Sequence, residues 1–196
     1  MILSQPQIRE AVEKEEIKFD PPLEPRQWGE ASVDLRLGLK FTKFRPAPGV
    51  TFSMSGGIGS IADTGLWDEQ VFEIKDAFGK RERYTLEPEE FILALTYEHV
   101  WIPRHLIAMV EGRSTYARVG LSMHQTAPWI QPGWHGQITL EIRNSGVNNI
   151  QLTPIDDMPC QLTFFQLTSA VPEKAAYGSR STDIYQNQRS ALARKA

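Results

Sequence analysis

Hydrophobic positions in this chain recur first at helical spacing and then almost entirely at strand spacing. Ser4 with Gln7 three residues on is a capping-box pattern, and Ile8, Ala11 and Val12 follow at the spacing of an amphipathic helix. Pro21 and Pro22 bar its continuation. Val33, Leu35 and Leu37 then alternate with Asp34 and Arg36, which is the period of a strand. Further strand-like runs follow at 71–74, 91–96, 107–110, 138–142 and 162–167, with turns between them. The stretch 46–65 is rich in Gly, Ser and Pro and reads as an excursion or loop. Its Gly56-Gly57-Ile58-Gly59 run is no dinucleotide fingerprint, because no helix pattern follows it, and is better read as a flexible insertion. With no internal repeat and no second helical half, the pattern predicts a mainly β domain with a short N-terminal helix.

Residues 172–196 depart from this pattern. They hold Tyr177, Arg180, Tyr185, Gln186, Asn187 and Gln188 but few residues for a core. A frayed terminus is the default reading; a lid whose polar groups close over an anionic ligand is the alternative.

Composition narrows the class. The 196 residues fit one domain with a proper core, and 41% hydrophobic with 23% charged residues is ordinary for a globular protein. A net charge of -3 argues against a nucleic acid polymer as partner, which calls for a basic surface, but leaves room for a nucleotide pocket. The one cysteine, Cys160, excludes an internal disulfide framework and reads as a small buried hydrophobe. No secretory signal is visible and no window approaches the ~20 apolar residues of a membrane helix, so the expectation is a cytoplasmic protein with no membrane partner.

Candidate chemistry concentrates between Glu111 and Gly146. Gly112-Arg113-Ser114-Thr115 offers a flexible backbone, a forked guanidinium and two hydroxyls, a set that suits phosphate oxygens. Arg118 follows Ser114 by four residues. Glu141 interrupts the apolar run of its strand and shares a face with Thr139, opposite Ile138, Leu140 and Ile142. Such an Arg-Ser-Thr cluster is more often a turn than a phosphate cradle, and a glutamate on a strand's polar face is usually solvated. Trp129 and Trp134 read as packing residues, and a lone His124 as structural. Spacing alone names no active site.

The same segment resembles the central motif of bacterial and archaeal dCTP deaminases: GRS-x-x-A-R-x-G-L…H-x-T-A…I-x-P-G-W…G-x-I-x-L-E…N-S-G is met from Gly112 to Gly146. Gly29 to Gly38, Tyr84 to Leu95, and the tail Tyr177…Arg180…Tyr185-Gln186-Asn187-Gln188 are also similar to that family, so the resemblance covers nearly the whole chain. It implies a dUTPase-like distorted β-barrel or jelly roll over 1–171, a C-terminal lid over 172–196, and a homotrimer whose active sites are shared between subunits. The implied reaction is hydrolytic deamination of dCTP to dUTP and ammonia without zinc. One cysteine could not supply the P-C-x-x-C of the zinc deaminases in any case. Magnesium would bridge the triphosphate rather than sit in a protein cage.

By the same resemblance Glu141 is the general base and proton shuttle, Ser114 and the Ala127 carbonyl hold the water, and Arg118 organises the pocket. Arg113, Ser114 and Thr115 lie near the phosphates, Thr126 and Ala127 read the base, and Tyr177, Arg180 and Gln188 contact phosphate.

Two departures bear on specificity. Gln131 stands where the family motif usually has aspartate, so diphosphatase activity is expected to be weak or absent. Ile184 stands where the tail commonly has lysine, leaving Arg180, Arg189 and Arg194 as cations to replace it. These departures keep open another or modified deoxycytidine nucleotide as substrate and a non-catalytic nucleotide-binding protein; a dUTPase-like phosphohydrolase is a further alternative, which Gln131 opposes.

Overall fold

The structure, a computed structural model, describes residues 1–75 and 79–192. Helix α1 (Gln5–Glu13) begins as its capping box predicts, with the Ser4 N–H donating to Gln7 Oε1 at 3.0 Å. It ends at Glu13, well before the two prolines, and buries Ile8 and Ala11.

The rest is mainly β and antiparallel. In chain order the strands are β1 (Lys18–Asp20), β2 (Val33–Leu35), β3 (Leu37–Phe44), β4 (Trp67–Val71), β5 (Tyr84–Leu86), β6 (Phe91–Trp101), β7 (Leu106–Gly112), β8 (Leu121–Ser122), β9 (Trp129–Ile130), β10 (His135–Asn144), β11 (Ile150–Leu152) and β12 (Cys160–Gln166). One sheet runs β4-β3-β6-β10-β8 with β1 added to β6, a second runs β2-β12-β7-β9, and β5 pairs with β11. Phe41, Ile92, Ala94, Leu140 and Ile142 of the first sheet share one core with Val33, Leu35, Ala108, Val110, Leu162 and Phe164 of the second. Among the described residues no helix is long and apolar enough to cross a membrane.

The expected strands form, mostly longer than their apolar runs, because hydrogen-bonded pairing continues past the last buried side chain. Three expectations change. The run at 71–74 falls instead on β4, whose residues Trp67–Val71 pair with β3 as an exposed edge, while Val71 and Ile74 themselves lie open. The stretch 46–65 is not a featureless loop: it contains helix α2 (Gly57–Ala62), which buries Ile61 and Ala62. The alternation from Val33 to Leu37 breaks at Arg36, which is buried and separates two strands of different sheets.

Arg36 is buried because β6 is bulged. Against β10 the register steps from Gln137↔His99 to Thr139↔Leu95, so extra β6 residues accumulate around Glu98. A bulge re-aims side chains, and here it turns the Glu98 carboxylate fully inward, where it accepts Arg36 Nε at 2.7 Å, the Arg36 N–H at 2.9 Å and Gln27 Nε2 at 2.8 Å. Glu24 binds the far side of the guanidinium, and the Arg36 guanidinium lies 4.8 Å over the Tyr97 ring. Removing one partner of a buried pair leaves the other charge uncompensated. Glu98→Ala is therefore expected to lower unfolding free energy by about 3–5 kcal/mol, read as a shift in the urea midpoint; an unchanged midpoint would show that the network does not tie the sheets together.

Candidate active site

Strand β10 alternates without a break. Gly136, Ile138, Leu140, Ile142 and Asn144 point into the core, while His135, Gln137, Thr139, Glu141 and Arg143 face outward. Glu141 thus stands beside Thr139, as their shared face predicts. The Glu141 N–H donates to the Met123 carbonyl at 3.0 Å, and the Gln125 N–H donates to Glu141 Oε2 at 2.9 Å. The loop after β8 therefore fixes both the backbone and the carboxylate of Glu141.

A cavity of about 400 Å³ opens at this carboxylate. Ala127, Trp129, Ile130 and Gln131 line one side, Thr139 and Leu93 the sheet, and Tyr177, Tyr185, Gln188 and Ala191 come from the tail. Among the described lining residues Glu141 is the one charged side chain.

The tail lies along β10. The Asn187 N–H donates to the His135 carbonyl at 2.8 Å, and the Gln137 N–H donates to the Gln188 carbonyl at 3.1 Å. Trp134 Nε1 donates to the Tyr185 carbonyl at 3.0 Å, and Gln188 Nε2 reaches Thr139 Oγ1. Two glycines permit this approach. A Cβ at Gly133 would stand 2.9 Å from that of Ala176, and one at Gly136 would stand 2.9 Å from the Gln188 nitrogen, both at positive φ. Trp134, buried against the core, fits its reading as a packing residue; Trp129 is half exposed, meets Phe165 edge-on, and lines the cavity. Burial raises the Tyr177 phenol above its ordinary range, and burial with the nearby Glu141 charge raises that of Tyr185, so both remain protonated donors.

The remaining residues singled out by sequence lie elsewhere on the chain. Ser114 and Thr115 begin helix α3 (Ser114–Ala117) and are exposed; Arg118 follows at its end, beside a groove formed with Gly120, Gly146 and Asn148. None of these lines the Glu141 cavity. Arg113 is engaged within its own chain, donating to the Met158 carbonyl at 3.0 Å and pairing with Asp34 at 3.1 Å. Thr126 is exposed at the rim. Arg180 is paired with Asp183 at 2.9 Å, which holds the Asp183 carboxyl below its usual range. Ile184 is half-buried, and Arg194 lies outside the described residues. His124 Nε2 contacts Glu111 Oε2 at 3.1 Å. Cys160 is fully buried, as its sequence reading implies, and burial pushes its thiol pKa up. Among the described residues no three His, Cys, Asp or Glu side chains gather where they could ligate an ion.

A sequence profile of the dCTP deaminase-like family matches residues 2–167. The chain belongs to the dCTP deaminase-like family. Family relatives include the "dCTP deaminase, dUMP-forming" of Methanothermobacter thermautotrophicus, 38% identical over 185 residues that span 93% of this chain and 86% of the relative. The dCTP deaminase of Natronomonas pharaonis is 36% identical over 96% of this chain and 91% of its own length. The crystal structure of the 2'-deoxycytidine 5'-triphosphate deaminase from Agrobacterium tumefaciens shares the family fold, with a TM-score of 0.62 at 21% identity, covering 88% of this chain and half (50%) of that one. The chain thus has the expected mainly β fold with its short N-terminal helix, in common with that deaminase.

What the family motifs did not reveal is the apolar side of the cavity. Leu93 and Ile58 line it from β6 and α2, 19 and 54 positions before the motif segment begins at Gly112, and nothing in their own stretches marks them as facing a site.

Where the tail leaves β10, His99 and His135 stack, with Nε2···Nδ1 at 3.3 Å and Trp101 4.1 Å from the His99 ring. Burial lowers both imidazole pKa values, and for His99 the neighbouring His135 and Arg189 add to it while Asp20 opposes. Below the unfolded-state value near 6.5 the unfolded chain then binds more protons than the native one, so this contribution to stability is complete above that pH and is lost as pH falls. The thermal midpoint is expected to drop between pH 7.5 and 5.5, and to drop less in His99→Gln; equal drops in both proteins would exclude the pair as the cause.

Proposed function

We propose that this protein deaminates dCTP to dUTP and ammonia in the cytoplasm, with Glu141 as its proton shuttle. The observation that supports this most directly is the position of Glu141: a carboxylate fixed by the Gln125 N–H, the one carboxyl side chain among the described residues lining a cavity of nucleotide size, within the dCTP deaminase-like family. Glu141 takes a proton from water as the oxygen adds to ring carbon 4 and delivers it to ring nitrogen 3; it then takes the remaining proton of the new C4 hydroxyl and passes it to the amino group, which leaves as ammonia as the C4 carbonyl forms. The Ala127 carbonyl, on the same cavity wall, accepts the second proton of the water in a hydrogen bond. Tyr177, Gln188 and the Arg180 of the tail close over the phosphates as a lid. Magnesium enters with the triphosphate and neutralises part of its charge.

A single chain lacks part of this machinery. Neither Ser114 nor Arg118 lines the Glu141 cavity of the same chain, and Arg118 lines a separate groove. A homotrimer in which α3 of one subunit completes the cavity of the next supplies both a second contact for the water and a cation, which is missing among the described lining residues. Arg113 then acts by holding α3 to Asp34 and the Met158 carbonyl, and Thr115 and Thr126 lie at the join.

Gln131 lines the cavity where hydrolysis of the phosphate chain calls for an acidic group to orient water. That favours dUTP as product. A second reading, dUMP formation, is favoured by the name of the Methanothermobacter relative.

Ammonia release from dCTP with magnesium, with chromatography of the nucleotide, tests both. The wild type is expected to give dUTP; accumulation of dUMP and pyrophosphate would replace it with the second reading. Glu141→Gln is expected to lower kcat by about 10²–10⁴ with nucleotide affinity nearly unchanged, and an equal loss of binding would show that Glu141 recognises rather than reacts. Mixing inactive Glu141→Gln and Arg118→Ala chains is expected to restore activity through mixed assemblies, whereas sites built within one chain would stay silent.

A further inference from the structure

Helix α2 and the end of the tail meet on the outward face of β6. Ala62, at the end of α2, is 1% exposed and packs in one apolar cluster with Leu93, Leu95, Ala191 and Leu192. Trp67 and Ile58 flank this cluster, and Trp67 Nε1 donates to the Ala62 carbonyl at 2.8 Å, tying the helix end to β4. Leu93 and Leu95 are the register partners of Glu141 and Thr139. The cluster therefore stands on the strand adjacent to the reacting carboxylate, separate from the main core.

Leu192 is 1% exposed, although Asn187 and Arg189 shortly before it are exposed. Between it and the site the chain is short and pinned. Gln188 Nε2 donates to the Ser190 carbonyl at 2.9 Å as well as to Thr139 Oγ1, and Lys40 Nζ donates to the Arg189 carbonyl at 3.2 Å. Residues 185–188 are otherwise retained by polar contacts alone, the part-buried bonds of Trp134 Nε1 and Gln188 Nε2 and the backbone bonds to β10, and the net gain from such bonds is small because water offers an alternative partner when the tail opens. An apolar anchor supplies a contact that water cannot replace.

We propose that the α2 insertion is a latch for the tail, in which Leu192 and Trp67 are positioning residues that hold Tyr185 and Gln188 in the cavity. Its effect on kinetics rests on the nucleotide reading given above; the latch itself does not.

The test compares wild type with Leu192→Ser, Trp67→Ala, the double variant and the conservative Leu192→Met. Without nucleotide, trypsin cleavage after Arg189, followed by mass spectrometry, is expected to be about tenfold faster in each disruptive single variant, because opening exposes that bond. Leu192→Met is expected to match wild type. The double variant is expected to be little worse than the worse single one, as for residues acting through one contact. With dCTP, KM is expected to rise about tenfold with kcat nearly unchanged, the signature of lost ground-state binding. Cleavage after Arg189 at the wild-type rate in Leu192→Ser would overturn the latch, as would strictly multiplicative effects in the double variant. A wild type inert toward dCTP would refute the nucleotide reading, while the trypsin comparison would still decide the latch.

Discussion

A single buried carboxylate fixes the geometry on which the rest depends. Glu98 enters the core only because β6 carries extra residues against β10, and once there it must be matched by donors. Arg36, the Arg36 N–H and Gln27 supply them, from the junction of β2 and β3 and from the turn before β2. The ends of two sheets are thereby held at one point. The same bulge resets the β6–β10 register, so that beyond it Thr139 and Glu141 lie opposite Leu95 and Leu93. Placement of the cavity carboxylate and placement of the apolar cluster beside it are consequences of one irregularity.

Around β10 the site is assembled by division of labour. The strand's inner face packs the core and its outer face presents Thr139 and Glu141 to the cavity, so neither compromises the other. Its free edge is shared: the loop after β8 occupies one end through Met123 and Gln125, and the tail occupies the other through Asn187 and Gln188. The cavity is the gap between these two occupants. Glycines at 133 and 136 belong to the motif that marks the family, yet their measurable task here is to let the tail backbone approach.

How much of this was legible in the sequence follows from the range of the interactions. The helix cap at Ser4, the alternation along β10 and the pairing of Thr139 with Glu141 are local, and local periodicity displays them. The resemblance to the family carried the wider fold and drew attention to Tyr177, Gln131 and Gln188, which line the cavity with Glu141. Arg36 was misleading for a physical reason: in an alternating pattern a charged residue marks the outer face, and only Glu98, 62 positions away, reverses that. The α2 segment was hidden because its glycines and serines signal a loop, while the partners that order it, Leu93, Leu95 and Leu192, lie far along the chain. The separation of Arg118 from Glu141 likewise escapes any linear pattern, since the motif that contains both folds around the sheet.

The tail's pairing with its own strand has a consequence for how the protein responds to dilution. Residues 187 and 188 bind positions about 50 residues earlier in the same polypeptide, so closure is a unimolecular event governed by a tethered local concentration. Contacts that α3 would make to a neighbouring cavity are intermolecular and follow mass action. In an enzyme built this way the ability to enclose a nucleotide and the ability to turn it over have different concentration dependences. Dissociation would leave subunits that still fold their tails over the cavity but lack the groups that complete it, and the assembly, rather than the lid, would set when the chemistry is switched on.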